Sequence, residues 1–386
     1  MSGISRRRFI QFAASTPIVL DRLAAFGAGS DSSELILVGT QTTGASKGIY
    51  AYHLDAASGE LSQHGLASPA NMPTFLTLSP GGKQVFAVNE IEEYEGKKGG
   101  AVSSFLFDRR DEKLTAVNTV ATHGGAPCHV AVDHTGRCLF VANYSGGSAA
   151  SYLIGADGKL SESVSFIQYT GSGPDKTRQE APHAHRVTVS PDNRFVMVND
   201  LGLDLIHLYH LDAKTATLTP NSPAAWKAAP GSGPRALQFH PNGKWAYCVT
   251  EMASTVYVLD WHATSGQLET KQQLSMSPEG YSGPTAGDDI VFDSEGQFAY
   301  VANRLNDYLV TFAVSPSDGK LTMLDRSSCG GKTPRHLALD KSGRWLLVAN
   351  QVSDNIAVFA RNQKTGRLAK ESKNFPLSKP QCIVFP

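Results

Sequence analysis

The 386-residue chain carries 35 basic and 35 acidic side chains, so its formal net charge is zero. A chain without excess positive charge lacks the electrostatic footprint of a nucleic-acid-binding protein, and we expect no such partner. Charged residues make up 18% of the chain, which also contains 36 glycines and 20 prolines. This composition is typical of a turn-rich globular protein and argues against a disordered one.

The chain begins with a basic and then moderately apolar leader. Twin arginines, Arg6 and Arg7, precede an apolar segment that ends in small residues near Ala28. This pattern is typical of a twin-arginine export signal, and two charged residues make the apolar run too short and broken to span a membrane. We therefore expect residues 1–30 to be a signal segment, residues 31–386 to be the folded domain, and the protein to be periplasmic or otherwise extracytoplasmic.

After the leader, one sequence unit recurs six times. Each copy has an apolar-alternating strand, a tight turn, a second apolar strand that mostly ends in Asn, and a third strand. The six turns end at Gly82, Gly136, Asn193, Gly243, Gly296 and Gly343. Their spacing of roughly 50 residues matches the length of a four-stranded propeller blade.

Two fragments at the ends of the repeat array complete the pattern. Leu35–Leu61 resembles the second, third and fourth strands of a unit, and Lys379–Pro386 resembles a first strand alone. Joined, they make a seventh blade and leave the ring without an open edge. We therefore predict an all-β fold, a seven-bladed β-propeller whose first blade is closed by the C-terminal strand, and we expect a monomer.

Polar residues that differ from blade to blade predict a ligand site at the channel mouth. In a propeller, the start of each first strand lies on the same face as the end of the second strand. A structural requirement would repeat one residue at these positions, whereas an asymmetric ligand would not. The candidates near the strand starts are His129, His183, His185, Arg235, Asp289 and Arg335, and those at the ends of second strands are Asp200, Glu251, Arg304 and Gln351.

Five candidates from three consecutive blades are predicted to be catalytic: His183, His185, Arg235, Glu251 and Arg304. Guanidinium groups bind carboxylate or phosphate oxygens at two points. Glu251 or His185 could activate water, and Arg235 or Arg304 could stabilise the developing negative charge, so ester-type hydrolysis is feasible. The other five candidates are predicted to bind the substrate. The same charges could instead form purely structural salt bridges between blades.

Four segments resemble the seven-bladed propeller lactonase family: Pro182–Asp204, Gly231–Trp261, Phe298–Phe312 and Thr333–Leu368. This family includes propeller-type bacterial 6-phosphogluconolactonases and the fungal carboxymuconate-lactonising enzyme. The resemblance covers residues 35–386. It implies that His183 or His185, with Arg235, Glu251 and Arg304, falls where the proposed active-site residues of the family lie. The sequence departs from the family at Ala236, where relatives often have His after the arginine.

Several functions are compatible with this pattern. The first is a hydrolase that opens a sugar lactone or related cyclic ester by water attack; a carboxymuconate cycloisomerase-type enzyme and a non-catalytic binding module are the alternatives. The expected partner is a small lactone or carboxylated ligand. We expect no cofactor and no metal, because no zinc spacing, phosphate loop or nucleophile elbow is present. A calcium-dependent lactonase using Glu90, Asp200 and Glu251 is a weaker alternative, since arginines lie beside these oxygens.

Overall fold

The computed structural model describes residues 33–386, and the predicted signal segment lies outside them. All the regular structure in these residues is β-strand. The described residues contain no helix that is long and apolar enough to cross a membrane. The strands form seven four-stranded antiparallel sheets and one additional two-stranded hairpin.

The first three blades include the split blade. Blade 1 contains β1 (Ser33–Thr40), β2 (Gly48–Asp55), β3 (Leu61–Pro69) and, from the other end of the chain, β30 (Pro380–Val384). Blade 2 contains β4 (Leu76–Leu78), β5 (Gln84–Asn89), β8 (Ala101–Asp108) and β9 (Lys113–Ala121), with a hairpin of β6 (Glu93–Tyr94) and β7 (Lys97–Lys98). Blade 3 contains β10 (Pro127–Val132), β11 (Cys138–Asn143), β12 (Ser148–Leu153) and β13 (Ser165–Gln168).

The other four blades are continuous in sequence. Blade 4 contains β14 (Ala184–Val189), β15 (Phe195–Asp200), β16 (Leu205–Asp212) and β17 (Thr217–Lys227). Blade 5 contains β18 (Pro234–Phe239), β19 (Trp245–Thr250), β20 (Thr255–His262) and β21 (Gln267–Ser275). Blade 6 contains β22 (Gly287–Phe292), β23 (Phe298–Asn303), β24 (Tyr308–Val314) and β25 (Leu321–Ser328). Blade 7 contains β26 (Pro334–Leu339), β27 (Trp345–Asn350), β28 (Asn355–Ala360) and β29 (Lys373–Pro376).

The hydrophobic core lies between the blades. Seven clusters of buried apolar side chains are present, and each joins two neighbouring sheets. The second strands are buried on both faces, as β11 and β15 show along their whole length. A sheet covered on both faces needs a continuous apolar run. This requirement explains the apolar second strand in each copy of the sequence unit.

The last strand closes the ring. β30 pairs antiparallel with β1, so that Ile383 lies opposite Val38 and Cys382 lies opposite Gly39. The same sheet therefore contains the first and the last strands of the described chain. The predicted seven-bladed propeller, closed by its C-terminal strand, is confirmed.

In six of the seven blades, a β-bulge aims one or two side chains of the innermost strand toward the hub. The pairing of β10, β14, β18 and β26 with the next strand skips one residue each time. A bulge leaves the extra residue unpaired and redirects its side chain. The skipped residues are Cys128, His185, Arg235 and Arg335; β22 skips Asp288 and Asp289, and β30 skips Gln381.

Deleting residues 379–386 is expected to abolish the cooperative thermal unfolding of the propeller, because it removes β30 and exposes the edge of β1. The fully buried Ile383 allows a milder test. Ile383→Ala should lower the free energy of unfolding by about 2–5 kcal/mol, measured by urea denaturation. Val384→Ala, at a less buried position, is the matched control. A deletion variant that melts like the full chain would contradict ring closure by β30.

Candidate functional site

The redirected side chains surround a polar cavity at the hub. About 400 Å³ of space is enclosed when the opening to solvent is included, but its narrow part has room for only about two or three water molecules. All seven blades contribute to the lining: Thr74, Phe75, Glu90, Cys128, His129, His185, Arg186, Arg235, Asp289, Arg335 and Gln381. The cavity is therefore narrow and asymmetric, as the varied polar residues predicted.

One part of the lining is a cluster built on Asp289. Its Oδ1 lies 2.8 Å from Nη1 of Arg186, and its Oδ2 lies 3.8 Å from Nε2 of His336 and accepts a hydrogen bond from the Leu337 amide at 3.1 Å. Burial would raise the pKa of Asp289, but His336 and Arg186 outweigh burial and lower it. The Asp289 carboxylate is therefore charged and balanced by the Arg186 guanidinium.

A second cluster is built on Arg235 and Glu251. Nη1 of Arg235 lies 2.8 Å from Oδ1 of Asp288, and its Nε lies 3.3 Å from Oε2 of Glu251. Arg304 and Arg178 each place Nη2 2.5 Å from Oε1 of Glu251. The side chain of Glu251 is 1% exposed, whereas that of Arg178 is 42% exposed. Three guanidinium groups thus hold one buried carboxylate.

The carboxyl groups of the hub differ in their affinity for protons. Burial would raise the pKa of Glu251, but Arg304, Arg235 and Arg178 lower it to about 2. Burial raises the pKa of Asp288 although Arg235, Arg335 and Arg304 act in the opposite direction. Burial also raises the pKa of Glu90, against the effects of Thr74, Arg335 and Arg235. Glu90, which lines the cavity, therefore takes up a proton more readily than Glu251 does.

The cavity histidines are neutral. Burial, followed by the charges of Arg235, Arg335 and Arg304, lowers the pKa of His185 well below 6.5. Burial and Arg186 lower the pKa of His129 in the same way. The ring of His129 packs on Phe75 at 4.2 Å between centroids. An uncharged imidazole can accept a proton, so the chemistry of His185 suits a general base.

Arg335 contributes a further cation to the lining. Its Nε donates a hydrogen bond to Gln381 Oε1 at 3.1 Å, and its Nη1 lies 3.9 Å from Asp288 Oδ2.

Burial raises the pKa of the neighbouring Cys128 thiol, with Glu90 adding to the effect. Cys128 is therefore a protonated thiol rather than a thiolate nucleophile.

Five of the ten predicted site residues do not line the cavity, and three of these five make other contacts within or between blades. The ring of His183 stacks on Tyr144, and its Nδ1 lies 3.1 Å from the Tyr144 carbonyl oxygen. Asp200 accepts hydrogen bonds from the amides of His183 and Leu203 and lies 3.2 Å from His207 Nε2. Gln351 donates to the Gln41 side chain at 2.8 Å, between blade 7 and blade 1. The Asp200 oxygens are thus used within blade 4.

The other predicted residues fall into two groups. His129, His185, Arg235, Asp289 and Arg335 line the cavity. Glu251 and Arg304 do not line it; Glu251 contacts the lining residue Arg235, and Arg304 contacts Glu251.

Glu90 and Arg178 are two charged residues of this site that were not among the predicted site residues. Glu90 follows the second-strand asparagine of blade 2, the same position as Glu251 in blade 5, but was considered only as a calcium ligand. Its signal was therefore present in the aligned repeat. Arg178 lies between β13 and β14, in a segment without a counterpart in the other blades. No repeat position could have identified Arg178.

Sequence comparison identifies relatives along most of the chain. The family described as lactonase, 7-bladed beta-propeller, matches residues 35–385. The 6-phosphogluconolactonase of Bacillus subtilis is 35% identical over 298 residues, which cover 77% of this chain and 82% of the relative. The 6-phosphogluconolactonase of Formosa agariphila is 32% identical over 306 residues, covering 75% and 82% of the two chains.

Solved structures agree with this assignment. The periplasmic gluconolactonase of Pseudomonas aeruginosa superposes with a TM-score of 0.87 at 34% identity, over 92% of this chain and 99% of that one. A protein of Lactobacillus plantarum superposes with a TM-score of 0.84 at 30% identity, over the same shares. The match to the family covers every blade. The chain therefore belongs to the seven-bladed β-propeller lactonase family.

Proposed function

We propose that the protein is a lactone hydrolase that opens a sugar lactone or a related cyclic ester by water attack at the hub. The observation that carries the proposal is the lining of one cavity by a neutral His185, by Glu90 with its raised pKa, and by the guanidinium groups of Arg235 and Arg335. The names of the relatives from Bacillus subtilis and Pseudomonas aeruginosa support the same reaction class.

His185 is the base in this scheme. It lines the cavity and is neutral at physiological pH, so its imidazole can take the proton of an attacking water molecule. Glu251 is a poor base by comparison. Its carboxylate does not line the cavity and is already held by the guanidinium groups of three arginines. We therefore assign Glu251 a positioning role, in which it fixes the guanidinium of Arg235 from behind.

Arg235 and Arg335 stabilise the negative charge of the tetrahedral intermediate. Both line the cavity, and both are anchored, Arg235 on Asp288 and Glu251 and Arg335 on Gln381. Fixed donors of this kind need no reorganisation when charge develops, and one such donor contributes about 3 kcal/mol to catalysis. Glu90 then supplies the proton to the leaving ring oxygen, because its raised pKa favours the protonated acid.

The size of the cavity limits how the substrate is held. Because the narrow part of the cavity has room for only about two or three water molecules, the ester group reaches the lining while most of the sugar stays at the mouth. The guanidinium groups of Arg304 and Arg178 lie beyond Arg235, with side chains 17% and 42% exposed. These two groups suit hydroxyl or carboxylate oxygens on the outer part of the ligand.

We also propose that the protein acts outside the cytoplasm. The twin arginines Arg6 and Arg7 support export, and the relative from Pseudomonas aeruginosa is named a periplasmic gluconolactonase. A phosphorylated sugar lactone made in the cytoplasm would not meet an exported enzyme. An unphosphorylated sugar lactone is therefore the substrate class we favour.

Replacing the proposed base and acid tests the reaction. His185→Gln and Glu90→Gln are each expected to lower kcat for glucono-δ-lactone roughly 10²- to 10⁴-fold, because each removes one proton-transfer partner. The rate is followed by acid release in a pH-stat, with far-UV circular dichroism to verify folding. His262→Ala, an exposed histidine outside the hub, should hydrolyse the lactone like the wild type.

The pH dependence of the rate, and the possible result that the wild type shows no turnover, complete this test. The acidic limb of kcat/KM should lie below pH 6.5, because the pKa of His185 is lowered. Wild-type rates in both hub variants would remove His185 and Glu90 from the mechanism. Saturable ligand binding without turnover in the wild type would instead favour a binding module.

The positioning role of Glu251 predicts an acid-dependent stability. Because the pKa of Glu251 is lowered to about 2 in the fold, the unfolded chain binds its proton first as the pH falls. Between about pH 5 and pH 2, the free energy of unfolding of the wild type should therefore fall by about 3 kcal/mol more than that of Glu251→Gln. Urea unfolding at several pH values measures this difference. The exposed Glu371→Gln should follow the wild type, and a parallel loss in Glu251→Gln would refute the assignment.

A further inference from the structure

The contact between blades 1 and 2, away from the hub, brings two histidines and a glutamate together. His53 lies on β2, His64 on β3, and Glu112 in the turn between β8 and β9. Nε2 of His53 lies 2.9 Å and Nδ1 of His64 lies 3.2 Å from the same oxygen, Oε2 of Glu112. The three ligand atoms lie within 4.8 Å of one another. We propose that these residues bind a divalent transition metal ion of the zinc class.

The distances fit such an ion. Tetrahedral zinc holds nitrogen and oxygen ligands at roughly 2.0–2.2 Å, which places neighbouring ligand atoms a little over 3 Å apart. Two imidazoles and one carboxylate favour zinc, nickel or copper over calcium or magnesium, which prefer oxygen ligands alone. A tetrahedral ion here would keep one position for water.

The backbone at Glu112 supports a special role for its side chain. Glu112 has a φ of 56°, in the left-handed region where a side chain costs about 1–2 kcal/mol. The turn between the third and fourth strands has a glycine in this conformation in five other blades, at Gly59, Gly158, Gly266, Gly319 and Gly366. Blades 2 and 4 instead have a non-glycine residue there, Glu112 and Ala216, and only the Glu112 side chain brings a carboxylate that faces blade 1.

A bulge in β3 presents His64. The register passes from Ala51↔Gly65 to Tyr52↔Gln63, so His64 is the unpaired extra residue. Blade 5 has the corresponding bulge at Lys271, which forms a 2.6 Å ion pair with Asp260. The turn that Lys271 faces in blade 6 carries Gly319. An ordinary ion pair is therefore sufficient for the fold at these positions. The combination of two histidines and a glutamate is particular to the contact between blades 1 and 2.

The surroundings orient the ligands. Oγ of Ser33 lies 2.9 Å from Nδ1 of His53, so that Nε2 faces Glu112. A second partner of this kind is typical of metal-binding histidines. The nearby ammonium of Lys113 is held by the Leu66 carbonyl oxygen at 2.8 Å. The side chains of His53, His64 and Glu112 are 33%, 37% and 16% exposed, so an ion can enter without unfolding of the blades.

Zinc titration of the untagged, chelator-treated protein tests the site. We expect one Zn²⁺ per chain by isothermal titration calorimetry and a zinc-dependent rise in the melting temperature. His64→Ala should lose this binding. Glu112→Gly should also lose it while the zinc-free form remains as stable as the wild type or more stable, because glycine suits the backbone at this position.

Two further variants define the outcome. Ser33→Ala should weaken zinc binding by roughly 10-fold, as expected for loss of an orienting partner. His262→Ala removes a histidine from an exposed His–Glu pair that lacks a second histidine, and should bind zinc like the wild type. The proposal is overturned if the wild type does not bind stoichiometric zinc, or if His64→Ala and Glu112→Gly retain the binding. Neither result depends on lactone hydrolysis.

Discussion

The pairing of β30 with β1 is the constraint on which the rest of the structure depends. It removes the two open sheet edges that a linear array of blades would leave. The same strand places Gln381 in the hub, where its side chain accepts a hydrogen bond from Arg335. It also places Ile383 in the apolar cluster between blades 1 and 7. A few residues at the end of the chain thus contribute to ring closure, to the hydrophobic core and to the candidate site.

The hub combines many charges in a small space, and their balance determines its chemistry. Its charged side chains are five arginines and four acids: Arg178, Arg186, Arg235, Arg304, Arg335, Glu90, Glu251, Asp288 and Asp289. The five guanidinium groups outnumber the four acids, and the raised pKa values of Glu90 and Asp288 shift the balance further toward positive charge. Buried charge pairs of this kind stabilise a fold poorly. Their concentration at one opening agrees with a site that binds oxygen-rich ligands.

The repeat made the fold predictable because every blade needs the same apolar second strand and the same turn. The ring of hub residues was predictable for the same reason, since His185, Arg235 and Arg335 occupy equivalent positions. Tertiary contacts were not predictable in this way. Arg178 comes from an irregular segment, and the pKa of Glu251 depends on three arginines from different parts of the chain. Asp200 was predicted to bind the substrate, and in the fold its carboxylate accepts hydrogen bonds from backbone amides; the sequence cannot distinguish these two uses of a carboxylate.

The split blade also determines when the fold can be completed. Of the propeller strands, β1 is the first to leave the ribosome, and it lacks its inner neighbour until β30 has been synthesised. During that interval the edge of β1 is open to other strands or to chaperones. The propeller therefore becomes resistant to unwanted edge pairing only after translation of the whole chain, and a prematurely terminated product remains an open arc.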